Sequence, residues 1–369
     1  MEKTITVIGL GNIGLGFSLF LEENGFRVMG IDINHEKIEK INTRRLPSTE
    51  PFYEYLLKKS TNFTSSISLE EGVAFSNTIF IFVQTPCSGG DRVYDHSFLS
   101  TVLSKINNLK PIDKQIVIGS TVMPKYINEI GNLLLSNCDR TTLSYFSYFL
   151  ERGNVINGIK KQKEFVIGTT DEILKIKMQS LFTEERIRIV NPTEAEIIHI
   201  TKNTFQSIKR TFANIIGDLC CVINETTQNE DIREKTVIDA IFENSQITIN
   251  HFKTGFSVGG PTLPPDMIAL KTLLDTYLIH SKMVESTIES NREHIGFQVN
   301  ELLKEDLSHY LFENVCYNEG KNTGIEESAK LKIAKILALN YGKEVVIRDT
   351  EETVADVKNE YGNIFSYEK

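Results

Sequence analysis

Three glycines near the start of the chain carry the clearest chemical signal. The run Gly9-Leu10-Gly11-Asn12-Ile13-Gly14 follows a short apolar segment and opens an amphipathic one, and Asp32 ends the next apolar segment. In a strand–turn–helix unit the first glycine makes a tight turn, the second admits a pyrophosphate to the backbone, and the third lets helix and strand pack closely. A carboxylate after the second strand accepts hydrogen bonds from ribose hydroxyls. This pattern predicts a dinucleotide site in a Rossmann fold, and the alternative is a glycine-rich turn without a ligand.

The same carboxylate predicts which dinucleotide binds. Asp32 would repel a 2′-phosphate, so NAD is favoured over NADP. The residues predicted from this fingerprint to contact NAD are Gly9, Gly11, Asn12, Ile13, Gly14 and Asp32.

The arrangement of apolar segments indicates three regions. Strand-like runs alternate with helical stretches from residue 4 to 121 and continue to about 190, which is typical of a doubly wound parallel sheet, and we assign residues 1–192 to an NAD-binding Rossmann domain. Apolar residues then recur at helical spacing over 194–224 and predict one long helix within a helical central domain, residues 193–300. Residues 301–369 are expected to form a short, truncated α/β domain with strands at 310–317, 344–348 and 364–366 and helices at 326–340 and 351–361.

Composition excludes several classes of protein. The net charge of -9 and the lack of a basic stripe argue against a nucleic-acid partner. We expect a cytoplasmic protein without a membrane segment, because the chain begins directly with a strand and has no long apolar run. The five cysteines have no metal-ligand spacing, so we expect reduced thiols and no metal site.

Further motifs resemble the UDP-glucose/GDP-mannose dehydrogenase family, whose members oxidise a nucleotide-sugar alcohol through an aldehyde to a uronic acid with two NAD. The matching segments, in chain order, are residues 83–86, 120–124, 149–154, 194–196, 203–205, 212–214 and 255–266. The resemblance implies that Thr85, Pro86 and Thr121 also lie at the cofactor. It further implies that Thr121, Asn203 and Asp266 remain from the family's catalytic set.

Two departures from the family pattern concern the reacting groups. Thr262 stands where the resemblance places the cysteine that forms the thiohemiacetal, and a hydroxyl without an adjacent base is a far poorer nucleophile than a thiolate. His199 stands where the family's lysine lies four residues before Asn203, so a group that titrates near neutrality replaces a fixed cation. The covalent second oxidation therefore loses its basis.

Other departures concern substrate contacts. Tyr148 and Arg152 occupy positions of family carboxylates, with Glu151 one residue out of register, and Gln246 replaces an arginine that reaches the neighbouring subunit. In the C-terminal region, the positions of a family lysine and arginine that contact the nucleotide are occupied by Asn318 and Glu326.

Ordinary structural roles stay open for the same residues. His199 could be a helix residue without catalytic function, Thr262 could close a turn, and Asp266 could be the N-cap of the next helix as well as a base. Lys202 and Lys209 fit solvated helix positions, although a long lysine could partly replace the missing cation.

The sequence therefore predicts an NAD-dependent oxidoreductase that acts on a nucleotide sugar of the UDP-sugar type in polysaccharide biosynthesis. We expect a single two-electron alcohol/carbonyl step, with His199 as acid/base and Asn203 and Thr121 orienting the oxygen. The alternatives are a catalytically silent binding subunit and a 3-hydroxyacid-type dehydrogenase. The long helix is apolar over more than one stripe, which predicts a homodimer.

Overall fold

The computed structural model describes residues 3–86, 94–150, 153–182, 186–226, 232–243, 254–317 and 324–368. Cys87, Glu151, Arg152, Gln246 and Asn318 lie outside these residues. The chain divides into two compact units, residues 1–199 and 200–369. The division into three domains at residues 192 and 300 stays a prediction.

The first unit alternates strands and helices. Its strands are β1 (Thr4–Ile8), β2 (Arg27–Ile31), β3 (Phe63–Ser66), β4 (Thr78–Ile81), β5 (Gln115–Ile118), β6 (Thr142–Ser147), β7 (Phe165–Gly168) and β8 (Ile187–Val190). Its helices are α1 (Asn12–Glu23), α2 (His35–Asn42), α3 (Tyr53–Lys59), α4 (Leu69–Phe75), α5 (Ser97–Leu109), a π-helical turn (Ile127–Gly131) that continues into α6 (Asn132–Leu134), α7 (Val155–Lys161) and α8 (Glu172–Phe182). The long helix α9 (Pro192–Thr226) begins in this unit and continues in the second.

The eight strands form one sheet in the order β3-β2-β1-β4-β5-β6-β7-β8. The first six in this order pair in parallel, so their carboxyl ends share one edge of the sheet. The order reverses between β1 and β4, and ligands of such sheets bind at this switch point. The predicted doubly wound Rossmann fold is confirmed.

Two details of the sheet differ from the expectation. β7 pairs antiparallel with β6, and the described residues between them include the seven-residue α7, about 10 Å long, whereas β6 is about 20 Å long. That connection favours a return from the edge where β6 ends. β3 was not expected, since Phe63-Thr64-Ser65-Ser66 at the sheet margin is largely polar.

Alternate residues of the central strands enter two hydrophobic cores, one on each face of the sheet. Phe80 belongs to the core with Phe17 and Phe146, whereas Ile79 and Ile81 belong to the other. The Phe17 ring lies 4.9 Å from that of Phe80 and 5.4 Å from that of Phe146, between centroids. Burial on both faces explains why these strands read as continuous apolar runs.

The second unit contains the rest of α9, further helices and a small sheet. The helices are α10 (Glu234–Glu243), α11 (Leu263–Thr276), α12 (Lys282–Lys304), α13 (Ala329–Tyr341) and α14 (Glu351–Tyr361). Strands β9 (His309–Glu313), β10 (Glu344–Arg348) and β11 (Ser366–Glu368) form a parallel sheet in the order β11-β10-β9. The long helix and the short C-terminal α/β region are thus as predicted, with shifts of a few residues at several ends. Among the described helices, none has the length and apolarity needed to cross a membrane.

Candidate functional site

The glycine turn between β1 and α1 is tightly enclosed on its protein side. Gly9 has a φ of +88°, and a Cβ on it would lie 2.7 Å from the Phe82 carbonyl oxygen. A Cβ on Gly14 would lie 1.9 Å from the Gly9 carbonyl oxygen. A Cβ on Gly11 would meet nothing within 4 Å. The turn is therefore closed toward the protein and open at Gly11, the position where a pyrophosphate would approach.

The N-terminus of α1 is free to receive an anion. Gly11 is its N-cap and offers no side-chain hydrogen bond, and the first turn contains no acidic residue. The first N–H groups of a helix have no partner within the helix, and the helix dipole favours negative charge there. Asn12 and Ile13 belong to this first turn, and their contact with a pyrophosphate stays a prediction.

Asp32 is fixed by backbone donors directly after β2. Its Oδ2 accepts a hydrogen bond from Leu10 N at 2.9 Å, and its Oδ1 accepts one from Asn34 N at 3.0 Å. An ionised carboxylate has about four acceptor sites, so both oxygens can accept further bonds. Asp32 is half-buried, and its link to Leu10 places the carboxylate beside the glycine turn. These features fit NAD.

The remaining predicted cofactor residues follow β4 and β5, on the other side of the switch point. Thr85 is half-buried and Pro86 is exposed after β4, and Thr121 is half-buried after β5. The hydroxyl of Ser120 donates to the Val83 carbonyl at 2.7 Å and joins the two loops. The sheet thus brings the predicted cofactor residues to one edge.

His199 lies in the first unit and contacts two hydroxyls. Its Nε2 lies 3.4 Å from Thr121 Oγ1 and its Nδ1 lies 3.3 Å from Ser147 Oγ. The imidazole is 4% exposed, and the Phe149 ring stacks on it at 5.8 Å between centroids. Since a hydroxyl can donate or accept, either nitrogen can carry the proton. Two residues predicted to be catalytic, His199 and Thr121, are therefore in contact.

Tyr148 also borders this imidazole. Its ring centroid lies 5.9 Å from that of His199, at an interplanar angle of 72°. A half-buried phenol ring thus occupies the position at which the family resemblance implies a carboxylate.

A buried carboxylate on α9 holds the segment after Thr121. Glu196 is fully buried and accepts hydrogen bonds from Lys125 N at 2.6 Å and Ile127 N at 3.0 Å. Burial raises the pKa of Glu196 to about 7, although the two N–H groups lower it. Lys125 has a φ of +77°, which a non-glycine residue adopts only when its surroundings hold it there.

In the second unit, Asn203 and Asp266 are joined. Asn203 Nδ2 donates to Asp266 Oδ2 at 2.5 Å, and both residues are buried. Thr204 Oγ1 donates to the Asp266 carbonyl at 3.2 Å. Asn203 follows His199 by one helical turn on α9, so the two side chains share a helix face.

Thr262, and not Asp266, is the N-cap of α11. The helix begins at Leu263, and Asp266 lies at the end of its first turn. The N-cap interpretation of Asp266 was wrong because the two prolines after Leu263 already belong to the helix, where the first turn tolerates them. Thr262 is exposed and its hydroxyl does not cap the helix. In the described part of the chain no base contacts this hydroxyl.

Several buried polar atoms of the second unit have no hydrogen-bond partner. Within the described residues these atoms include Thr211 Oγ1, both amide atoms of Asn214, Ser257 Oγ and Gln298 Oε1. Buried polar groups normally have partners, so these atoms indicate places where water or a polar ligand binds.

Cys221, Glu225 and Glu301 form a small cluster elsewhere in the second unit, with ligand atoms within 4.8 Å of one another. The ammonium of Lys304 lies 2.7 Å from carboxylate oxygens of both glutamates. A protein cation thus already pairs with both carboxylates and offsets one of their two negative charges.

Sequence reasoning missed Ser147 and the role of Glu196. Glu196 stood in a motif that matched the family, but its backbone partners lie about 70 residues earlier in the chain. Ser147 is 52 residues from His199, and nothing in its local sequence distinguishes it from other strand serines.

Comparison with known proteins identifies the family. Residues 3–185 match the NAD binding domain of the UDP-glucose/GDP-mannose dehydrogenase family, and residues 193–293 match the central domain of the same family. The chain therefore belongs to the UDP-glucose/GDP-mannose dehydrogenase family, and its first domain binds NAD.

Individual relatives agree with this assignment. The chain is 29% identical to a UDP-glucose 6-dehydrogenase of Rickettsia bellii over 82% of this chain and 70% of that protein. It is 25% identical to a GDP-mannose 6-dehydrogenase of Pseudomonas aeruginosa over 96% of this chain and 82% of that protein. The solved structure of a UDP-glucose dehydrogenase from Pyrobaculum islandicum has the same fold, with a TM-score of 0.89 and 22% identity over 100% of this chain and 86% of that one.

The open space at Gly11 predicts a variant that folds but binds NAD poorly. We expect Gly11→Ala to change the free energy of unfolding by less than about 0.5 kcal/mol, since its Cβ meets no protein atom. NAD affinity should fall about tenfold or more, because the methyl group stands where the pyrophosphate approaches the backbone. Isothermal titration and denaturant unfolding measure the two quantities. Gly296→Ala, also in open space, is the control, and unchanged NAD affinity in Gly11→Ala would contradict the assignment.

Asp32 predicts a preference for NAD over NADP. The unmodified protein should bind NAD clearly more tightly, and Asp32→Ala should reduce the ratio of the two affinities, because the variant loses both the ribose acceptor and the repulsion of a 2′-phosphate. Titration of both dinucleotides measures the ratio, with the exposed Asp139→Ala as control. Equal affinities in the unmodified protein would refute this role.

Proposed function

We propose that this protein is an NAD-dependent oxidoreductase that transfers one hydride between an alcohol and a carbonyl of a nucleotide sugar. The contact of His199 with Thr121 carries the proposal, because it joins a proton acceptor to the sheet edge that holds the glycine turn and Asp32. The names of the relatives support a UDP-sugar or GDP-sugar, and we favour the UDP type. Such a step belongs to polysaccharide biosynthesis.

His199 takes the proton of the reacting hydroxyl in this proposal. When bound, NAD would supply the hydride acceptor for the carbon that bears this hydroxyl. Proton transfer to Nε2 leaves Nδ1–H to donate to Ser147 Oγ, so the hydroxyl of Ser147 stabilises the imidazolium. Thr121 orients the substrate oxygen through its hydroxyl, which already lies against Nε2.

Asn203 and Asp266, both in the second unit, act as a pair toward a substrate oxygen. The Asp266 carboxylate fixes the Asn203 amide through a hydrogen bond of 2.5 Å, which leaves a second N–H for a substrate oxygen. An amide held in one orientation stabilises developing negative charge without the cost of reorientation.

Thr262 ends the chemistry after two electrons. Oxidation of an aldehyde by hydride transfer requires a tetrahedral adduct first, and a threonine hydroxyl without a neighbouring base is a poor nucleophile. Thr262 is exposed, and its hydroxyl makes no cap hydrogen bond to α11. In the described residues no imidazole or carboxylate contacts this hydroxyl to activate it.

Two alternatives are compatible with the same fold. A catalytically silent binding subunit is favoured by the burial of His199, whose nitrogens both face protein hydroxyls. A 3-hydroxyacid-type dehydrogenase would share the N-terminal fingerprint. The match of residues 193–293 to the central domain of the UDP-glucose/GDP-mannose dehydrogenase family favours a nucleotide-sugar substrate over a 3-hydroxyacid.

Product analysis tests the proposal. With excess NAD and a panel of nucleotide sugars, we expect at most one NADH per sugar and an aldehyde or ketone product by mass spectrometry. His199→Ala should abolish turnover, whereas His280→Ala, at an exposed histidine, should not. Thr262→Cys alone should not yield full uronate synthesis, because the lysine and glutamate positions also differ.

The same assay separates the alternatives. A uronic acid with two NADH per sugar would show that the nucleophile is elsewhere. NAD binding without turnover of any sugar would indicate the silent binding subunit. Turnover of 3-hydroxyacids in place of nucleotide sugars would indicate the 3-hydroxyacid-type dehydrogenase.

We also propose a homodimer. One face of α9 is exposed and apolar at positions three, four or seven residues apart: Phe205, Phe212, Ile215, Leu219 and Val222. Large apolar side chains in one continuous row at this spacing are typical of a helix that packs against a partner, and a second copy of the chain supplies an identical row.

Light scattering at micromolar concentration should give twice the monomer mass. Replacing two residues of the row, Ile215→Glu with Leu219→Glu, should give the monomer mass, because burial of two carboxylates opposes association. Ile173→Glu on α8, at a residue 61% exposed, should leave the dimer intact. A monomeric unmodified protein would refute the dimer.

A further inference from the structure

A row of polar side chains on α12 holds the backbone of residues 255–258. Asn291 accepts a hydrogen bond from Val258 N at 2.7 Å and donates to the Val258 carbonyl at 3.1 Å. His294, one turn further, lies with Nε2 2.7 Å from the Gly255 carbonyl oxygen. Gln298 also donates to that carbonyl, at 3.5 Å. Both Asn291 and His294 are buried.

The second ring nitrogen of His294 faces a carboxylate. Nδ1 lies 2.8 Å from Asp218 Oδ2 on α9. A carbonyl oxygen can only accept, so Nε2 must carry a hydrogen. At Nδ1 the bond needs one further proton, either on the ring or on the carboxylate. A neutral imidazole beside an ionised Asp218 would place a lone pair against a carboxylate, so this contact requires the pair to hold the extra proton.

The segment that His294 holds leads directly to Thr262 and Asp266. Gly255 has a φ of +142°, a conformation that L-residues rarely adopt. Beyond it, a Cβ on Gly259 would lie 2.5 Å from the Glu327 carbonyl, and one on Gly260 would lie 2.6 Å from the Tyr317 ring. The backbone therefore has little room to shift between its attachment to α12 and the start of α11.

We infer that His294 is a positioning residue, whose doubly protonated ring ties Asp218 on α9 to Gly255 and so fixes the segment that carries Thr262 and Asp266. That these two residues belong to the reacting site rests on the proposed function, whereas the tie itself does not. The tie is intact when the pair holds its proton and loses one of its two hydrogen bonds when it does not.

The charges around His294 give this tie a pH dependence. Asp218 is the titratable group that faces the ring, while Asn291, Phe297 and Gln298 on its own helix and the segment at Gly255 bring no charge. Burial lowers the pKa of His294, but the bonds to Asp218 and Gly255 and the charge of Asp218 outweigh burial and raise it. Because the pKa of His294 is raised, the stabilisation of the folded state by its bonds to Asp218 and Gly255 is complete at low pH. This stabilisation is lost as the pH rises through the raised pKa.

Nuclear magnetic resonance of the ¹⁵N-histidine-labelled full chain tests the protonation state, with His294→Gln used to assign the signal. We expect both ring nitrogens of His294 to carry protons at pH 6.5. Asp218→Asn should lower the midpoint of the titration by about one pH unit or more. A singly protonated His294 at pH 6.5, or a midpoint unchanged by Asp218→Asn, would overturn the inference.

Hydrogen exchange tests the tie. Amides of residues 255–260 should exchange about tenfold faster in His294→Gln than in the control His280→Gln, and faster in the unmodified protein above the measured midpoint after correction for intrinsic rates. If His294→Gln does not fold, Asp218→Leu serves the same comparison, because leucine can neither donate to nor accept from Nδ1. Equal exchange in the variant and control would overturn the inference. Neither measurement needs a substrate, so failure of the proposed function leaves both outcomes interpretable.

Discussion

The crowding of the β1–α1 turn against the loop after β4 is the constraint on which the rest of the first unit depends. Gly9 lies so close to the Phe82 carbonyl, and Gly14 so close to the Gly9 carbonyl, that no side chain fits at either position. This contact packs α1 onto the sheet and directs its N-terminus to the edge where the parallel strands end. Asp32, Thr85 and Thr121 reach the same edge because their strands are neighbours of β1 or of β4.

The residues that could be predicted from the sequence are those whose evidence is local. The glycine turn and Asp32 can be recognised because both lie within one strand–turn–helix–strand unit. The spacing of His199 and Asn203 is fixed by helix geometry. The contact between Thr121 and His199 spans 78 residues, and the bond of Glu196 to the turn at Lys125 spans 71. Such pairs depend on strand order and helix placement, which residue spacing does not encode.

The fold was predictable wherever burial left a pattern. Strands with two buried faces read as apolar runs, so β1, β2, β4 and β5 were recognised, whereas β3 offers little apolar surface. The direction of β7 was not accessible, since an apolar run reads the same in a parallel and an antiparallel strand. The prediction of Asp266 as the N-cap of α11 was wrong although aspartate is a common N-cap residue, because its carboxylate binds Asn203, a partner distant in sequence.

The proposed reaction requires a route for the proton as well as an acceptor. His199 is 4% exposed, so a proton taken at Nε2 cannot pass directly to bulk water from a freely accessible ring. The hydroxyls of Thr121 and Ser147 lie on opposite nitrogens, and a hydroxyl can accept and donate at once, so in the proposed reaction they can relay a proton through the imidazole as far as Ser147, which is itself fully buried. A fixed lysine cation could stabilise an alkoxide but could not serve in such a path while it stays charged. In the proposed reaction His199 and Thr262 fit together: a reaction that stops at the carbonyl requires a group that receives one proton and releases it, and requires no group that stabilises a covalent adduct.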